Sequence, residues 1–269
     1  MTSQPSQTSQ TSQTSQTSQT SQTSQTSQTS QTSQHQKLLL TNDDGYDAPG
    51  LAALERAVAG WGMECVVVAP DVCHSGGGHR VTTHRPLAVR DVGPKRFCID
   101  GTPADCTRLA LSTLCPDPTW VLSGINAGGN LGVDVHLSGT VAAAREAALH
   151  GRRSVALSQY RGRSQAIDWE RASRWVARVL VRIDSLALEP GEFWNVNLPD
   201  PATAPEGHAG GDPPIIECAV DPSPFTLSFN ETPAGWVWAA NYHERPRRPG
   251  HDVAICFGGA ISLSRCRVV

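Results

Sequence analysis

Lys37-Leu38-Leu39-Leu40-Thr41-Asn42-Asp43-Asp44-Gly45 runs from three consecutive leucines into two adjacent acids and a glycine. A short unbroken apolar run that stops at a turn signal reads as a strand buried on both faces. Pro49 then opens a helical pattern through Leu51, Leu54, Glu55 and Val58, with Asp47 as the expected cap and Gly60 as the stop. Cys65-Val66-Val67-Val68-Ala69 is a second buried strand, ended by Pro70. A strand, a helix and a second strand within 34 residues make a βαβ unit, which implies a parallel sheet.

The same alternation continues outward. Val81 to Val89 and Arg96 to Ile99 read as strands. Thr102-Pro103-Ala104-Asp105 has a cap, a proline at the first helical position and an acid at the third, so it opens a helix. Thr119 to Leu122 is strand-like, Ser138-Gly139-Thr140 starts an alanine-rich helix reaching about His150, and Val155 to Leu157 is strand-like again. Ile167, Trp175, Val176, Val179, Leu180 and Ile183 mark an amphipathic helix, and Phe193 to Asn197 one more strand. Residues 199–214 are rich in proline and glycine; beyond them Ile215–Val220, Phe225–Phe229, Trp236–Ala240 and Val253–Ser264 read as strands without helices. The expected fold is therefore α/β, a Rossmann-like, mostly parallel sheet with flanking helices and a β-rich C-terminal appendage. It divides into a low-complexity tail over 1–36, an α/β core over 37–198 and a β-rich part over 199–269.

From Ser6 to Gln34 the chain repeats Ser-Gln-Thr, so all the charge of the 269-residue sequence (22 basic and 25 acidic side chains, net -3) lies beyond that tail. The tail has neither the apolar stretch of a secretory signal nor the arginines of a mitochondrial one and reads as disordered. Near-neutral charge argues against a protein held on DNA or RNA by a basic field. No apolar run of 18 residues exists, so no membrane span is expected. The eight cysteines show no two-residue spacing of a zinc or dithiol motif. They read as small buried apolar groups, with a cytoplasmic setting expected.

Four segments could carry chemistry, three of them at strand ends, where open parallel sheets bind ligands. Asp43 and Asp44 repel each other, a cost that a divalent cation with hard oxygen ligands removes. Ser75-Gly76-Gly77-Gly78-His79 allows close backbone approach and offers a hydroxyl. Asn126 and Asn130 offer amides within Ser123-Gly124-Ile125-Asn126-Ala127-Gly128-Gly129-Asn130. Ser138-Gly139-Thr140 offers the free N–H groups and dipole of a helix start. Singly, each has a plainer reading: a solvated Asp turn, an ordinary glycine loop with a hydrogen-bonded His79, an Asn-Gly turn, a simple N-cap. Together they suit a metal bridging to a phosphate.

These motifs resemble the survival protein E (SurE) family of nucleotidases. The resemblance rests on 39–45 and 48–51, Val-Ala-Pro-Asp (68–71) with Ser75-Gly76, and Gly-Thr-Pro-Ala-Asp-Cys (101–106). It continues through 123–132, 138–144, Asn-Val-Asn-Leu-Pro (195–199) and Asp-Val-Ala (252–254). It implies metal-dependent hydrolysis of nucleoside 5′- or 3′-monophosphates, in some members of polyphosphate, by homodimers or homotetramers that exchange C-terminal elements. By motif, Asp43, Asp44, Ser75 and Asn126 would hold one Mg2+ or Mn2+. Asn130, Ser138, Gly139 and Thr140 would hold the phosphate, with Asn42 assisting, and Asp43, Asp44, Asn130 and Ser138 would form the catalytic set. Val133 and Leu137 stand where the family often has an acid and an aromatic residue, and His136 and 199–250 also depart from its pattern. The expected chemistry is in-line attack of an activated water on phosphorus; a nucleotide sensor with the same pocket but no turnover is the alternative. Trp236, Trp238 and Tyr242 are expected to pack within the C-terminal part rather than against a base.

Overall fold

The computed structural model describes residues 36–162, 166–203 and 211–268. The expectation for 1–36 lies, but for Gln36, outside them. Lys37–Thr41 (β1) is followed by Pro49–Val58 (α1), Glu64–Pro70 (β2), Val89–Gly93 (β3), Arg96–Ile99 (β4) and Pro103–Leu109 (α2). Trp120–Asn126 (β5), Gly139–Leu149 (α3), Ser154–Gln159 (β6), Trp169–Asp184 (α4) and Glu192–Leu198 (β7) complete the alternating part. Then come Ile215–Glu217 (β8), Phe229–Thr232 (β9), Gly235–Trp238 (β10), Asp252–Phe257 (α5) and Ile261–Arg267 (β11).

Nine strands form one sheet in the order β3-β4-β2-β1-β5-β6-β7-β11-β8. From β4 to β7 every neighbouring pair is parallel, while β3 and β11 join antiparallel. The period-2 alternation of β1 explains its three leucines. Leu38 and Leu40 pack with α1 and α4 side chains such as Leu51, Leu54, Trp175 and Val179, whereas Leu39 packs on the other face with Cys106, Ala110 and Ala147. Because β1 lies between β2 and β5, its C-terminal acids emerge at the middle of the sheet.

Local signals fixed several boundaries. Thr102 and Asp105 make a reciprocal capping box on α2, and Ser138 caps α3 through the Val141 N–H at 3.1 Å. Other expectations are corrected. The N-cap of α1 is Ala48 with no side-chain cap, so Asp47 does not serve; the helix passes at Ala59 into a short turn of 3-10 helix, and Gly62 rather than Gly60 is left-handed. Only Val89 onward is a strand in the stretch read as 81–89. Before it, Asp105 takes the Thr82 N–H at 2.8 Å, and Asp100 takes that of Ala88 at 2.7 Å, so carboxylates replace a ladder there.

The β-rich C-terminal part is present, and it divides. Strands β11 and β8 extend the main sheet, while β9 and β10 pair as a separate hairpin. Phe225 to Ser228 are not strand, and residues 252–257 are helical instead of strand. Short apolar runs do not separate the two periods: Val253 and Cys256, three apart, share one buried helix face. All eight cysteines are unpaired. No helix among the described residues is long and apolar enough to cross a membrane.

Candidate active site

The turn after β1 is built by Asn42. Its amide nitrogen donates to the Gly45 carbonyl at 2.8 Å and its carbonyl oxygen accepts from the Gly45 N–H at 3.3 Å. Both polar atoms are thereby engaged in shaping the turn, and the adjacent acids are held in place. Asp43 is buried and Asp44 partly so. Asp43 Oδ1 accepts from the Thr140 hydroxyl at 2.5 Å, and Asp44 Oδ2 accepts from the Ala127 N–H at 3.1 Å. The His74 N–H donates to the Asp43 carbonyl at 2.8 Å. Thus the turn after β1 is bonded to the helix start at Thr140, to the residue after Asn126 and to the residue before Ser75.

Gly139 makes the closest of these approaches possible. A Cβ there would lie 2.8 Å from Asp43 Cβ, 3.0 Å from its Oδ2 and 3.2 Å from Pro103 Cγ. Any larger residue would push Asp43 away from the amino end of α3. Among the described residues no Lys, Arg or His side chain forms an ion pair with either acid of the pair. Burial pushes the Asp43 carboxyl up to about 6; Asp44 adds to the rise and the Thr140 bond opposes it. Burial also raises Asp44, against the Ala127 N–H. Two carboxylates pushed upward without a protein cation are a destabilised charge pair that a bound cation would relieve.

The remaining expected residues are distributed around this pair. The Asn126 amide nitrogen donates to the Gly128 carbonyl at 2.8 Å, which leaves its carbonyl oxygen as the group to offer a cation. Ser75 is exposed, with its hydroxyl 3.0 Å from Cys73 Sγ. Among the described residues no group of three His, Cys, Asp or Glu side chains is arranged to hold a metal ion by itself. A cation here would therefore use two carboxylates completed by neutral oxygens, a hard donor set that fits Mg2+ or Mn2+ better than zinc. Asn130 lies buried, with its amide nitrogen 2.7 Å from Ser158 Oγ and 3.5 Å from Thr140 Oγ1. His79 turns away: its Nε2 is 2.7 Å from Glu146 Oε2, the plain hydrogen-bonded role.

Several supporting residues carry no signal of their own in the sequence. Asn197 Oδ1 accepts the Asn130 N–H at 2.7 Å, while Asn195 and Asn197 donate to the Asn130 carbonyl at 2.9 and 3.1 Å. Two residues on, Asp252 accepts the Gly132 N–H at 2.8 Å. Asn195, Asn197 and Asp252 stood in the sequence only as motif landmarks; an apolar strand carrying two asparagines was the available hint of a buried polar role. Glu146, buried in α3, receives His79, Arg108 at 2.7 Å and His150 at 2.9 Å. Burial opposes its charge, but these three donors win and hold the carboxyl at about 2.

The family model for survival protein SurE matches residues 38–210. A protein of a Nostoc species is 46% identical over 231 residues, covering 86% of this chain and 99% of the relative. A Rhodospirillum rubrum protein named 5′-nucleotidase SurE is 39% identical over 242 residues, covering 85% of this chain and 88% of the relative. The crystal structure of the SurE protein from Aquifex aeolicus superposes with a TM-score of 0.74 at 30% identity, covering 87% of this chain and 94% of that one.

Proposed function

Since the chain belongs to the survival protein SurE family, we propose that it is a phosphomonoesterase acting on nucleoside 5′-monophosphates, and that its activity requires a divalent metal ion. Hydrolysis of 3′-monophosphates and of polyphosphate belongs to the same proposal. The relatives named 5′-nucleotidase support the substrate class. The observation that carries the reading is the Asp43–Asp44 pair, without a protein cation, pressed against the Gly139-Thr140 start of an eleven-residue helix.

Asp43, Asp44, Ser75 and Asn126 would hold the ion, Mg2+ or Mn2+, which when bound supplies charge neutralisation and polarises a phosphoryl oxygen. The phosphate sits at the amino end of α3. There the Gly139 N–H and the Ser138 hydroxyl proton can meet its oxygens, and the helix dipole favours its charge. The Thr140 hydroxyl and backbone N–H both donate to Asp43, so Thr140 acts on the phosphate mainly by fixing Asp43 at the helix start. Asn130, orientated by Ser158 and by the β7 asparagines on its backbone, would turn to the phosphate the amide N–H that is now only 3.5 Å from Thr140 Oγ1. Asn42 acts through the turn it shapes. A carboxylate of the pair takes the proton of the attacking water as its oxygen bonds to phosphorus, the ester P–O bond opposite breaks, the nucleoside oxygen departs and takes a proton from solvent, and the helix-start donors stabilise charge spreading over the equatorial oxygens. Like other members the family resemblance implies, the chain would work as a homodimer or homotetramer.

Phosphate release from a panel of nucleoside 5′- and 3′-monophosphates, polyphosphate and simple esters, with added Mn2+ or Mg2+ and with chelator, tests the reading. Turnover abolished by chelator and by Asp43→Asn is expected. Full activity of the Asp43→Asn protein would overturn the assignment.

A further inference from the structure

Two cavities share lining residues with the surroundings of the site, one through His74 and Thr102 and the other through Leu137. One, of about 420 Å³, is lined by charged groups including Asp71, Arg80, Arg85 and Asp100. Arg85 and Asp100 are already bonded to each other at 3.0 Å, and such walls suit water and ions. The other, of about 360 Å³, is walled by Leu137, Phe225, Trp238 and Tyr242, with Thr226, Asn241, Asp134 and Arg245 among its polar groups. A space lined mainly by aromatic and aliphatic groups, with a few placed polar atoms, is the usual character of a small-molecule site.

This aromatic cavity is tied to the phosphate end of the site at two points. Leu137 immediately precedes the α3 cap Ser138, and the Tyr242 hydroxyl lies 3.4 Å from the carbonyl of Gly129, the neighbour of Asn130. The wall is rigid. Asp134 accepts from Tyr242 at 2.8 Å and from Arg245 at 2.6 Å, and the Arg245 guanidinium lies 4.3 Å from the Phe225 ring centroid and 5.0 Å from that of Tyr242. Phe225 and Tyr242 are therefore occupied by the cation between them. Trp238 is not. Its ring contacts are near-perpendicular, with Phe225 at 6.5 Å and Phe229 at 5.2 Å, and the residue is 46% exposed. An indole that stacks parallel on no neighbouring ring and is half-exposed at the wall of a cavity can take a flat ring against it. Asn241 accepts the His243 N–H at 3.0 Å, which leaves its amide nitrogen, with the Thr226 hydroxyl, to meet polar ring edges.

We propose that this cavity is the nucleobase subsite, in which the base of the substrate stacks on Trp238 while its phosphate occupies the start of α3. The assignment rests on the nucleotidase reading above and adds to it the part of the chain that recognises the base. It places the recognition element in residues 225–245. A second copy of the chain covering the exposed hairpin is the rival occupant of the Trp238 face, and the test separates the two.

The test compares kcat/KM for a nucleoside 5′-monophosphate with that for ribose 5-phosphate, which has the same reacting group and no base. Both are measured on the full chain and on Trp238→Ala and Trp238→Phe. Loss of one base–aromatic stack lowers the nucleotide-to-ribose-phosphate preference about tenfold in Trp238→Ala, mostly through KM, with substantial recovery in Trp238→Phe. A preference unchanged in Trp238→Ala, including the case where both substrates weaken together because the ring packs the fold or a second copy, overturns the proposal. Direct binding of the unphosphorylated nucleoside, followed by calorimetry, is the second readout. It is weakened about tenfold by Trp238→Ala if the subsite is as proposed and unchanged if it is not. If no ester is hydrolysed, the nucleotidase reading fails while the nucleoside titration still decides the subsite.

Discussion

Gly139→Ala isolates the contact on which the proposed chemistry depends. The added methyl carbon would sit 2.8 Å from Asp43 Cβ, and about 0.6 Å of movement is needed to reach the 3.4 Å at which ordinary contact begins. Pro103 Cγ at 3.2 Å and Asp43 Oδ2 at 3.0 Å block the lateral escapes. The backbone itself takes alanine without strain, because Gly139 has ordinary helical geometry. Alanine gains at most about 1 kcal/mol of helix propensity there, while forcing a methyl into a filled space costs about 1–3 kcal/mol. The net loss is about 1 kcal/mol, a fall in Tm of a few degrees for a domain of this size.

Activity should suffer more than stability. Misplacing a reacting group by about 1 Å costs roughly a hundredfold, so a shift of about 0.6 Å lowers kcat for phosphate release by at least about tenfold. Thermal unfolding and steady-state phosphate release on the same preparation measure the two effects. Gly60→Ala is the control: its added Cβ meets nothing within 4 Å, and it lies away from the site. A Gly139→Ala protein with native turnover would show that the Asp43–helix distance does not matter and would refute the assigned geometry.

Glu146 sets an acid limb of stability. Its carboxyl titrates at about 2 in the folded chain against 4.5 for an ordinary Glu, so its contribution, up to roughly 3 kcal/mol, is complete above pH about 4.5 and drains away as pH falls toward 2. Urea unfolding from pH 7 to 3 should show that limb, and Glu146→Gln should flatten it while lowering stability at pH 7; an unchanged slope would count against the ion cluster. Asn197→Ala strips the Asn130 N–H of its acceptor at 2.7 Å and should cost about 1–3 kcal/mol. It should also lower kcat by about tenfold with little change in metal affinity, read by phosphate release against metal concentration.

What the sequence revealed follows the range of the interactions. The capping box at Thr102 and Asp105 and the cap at Ser138 are closed within three residues, and both were legible. The central strands were legible because burial on both faces leaves an unbroken apolar run, as in β1 and β2. The four site segments were legible as polar interruptions at strand ends. What links them was not: Thr140 and Asp43 are 97 residues apart, and Asp252 and Gly132 are 120 apart. Such contacts depend on which strand lies beside which. The entry of β11 between β7 and β8 has no local signature at all, and the helix at 252–257 is too short for its period to show.

That distant entry bears on the site itself. Asn130 must present its amide beside Thr140, yet it lies in a glycine-rich segment with no regular structure of its own. Three side-chain bonds from β7 satisfy both its backbone N–H and its carbonyl, and Asp252 at the start of α5 satisfies the N–H of Gly132. Each such bond, if broken without replacement, would cost about 1–3 kcal/mol for the buried group left behind. The segment is therefore held as rigidly as a strand, and the rigidity comes from elements later in the chain. β7 in turn is flanked by β11, which continues from α5. The C-terminal part thus bears on the proposed phosphate site through the asparagines and Asp252. It also lines one side of the site with the ring of Trp238. A polar pocket of this kind is preorganised because its orientating bonds are made before any substrate arrives, and here those bonds require the whole span from β1 to β11.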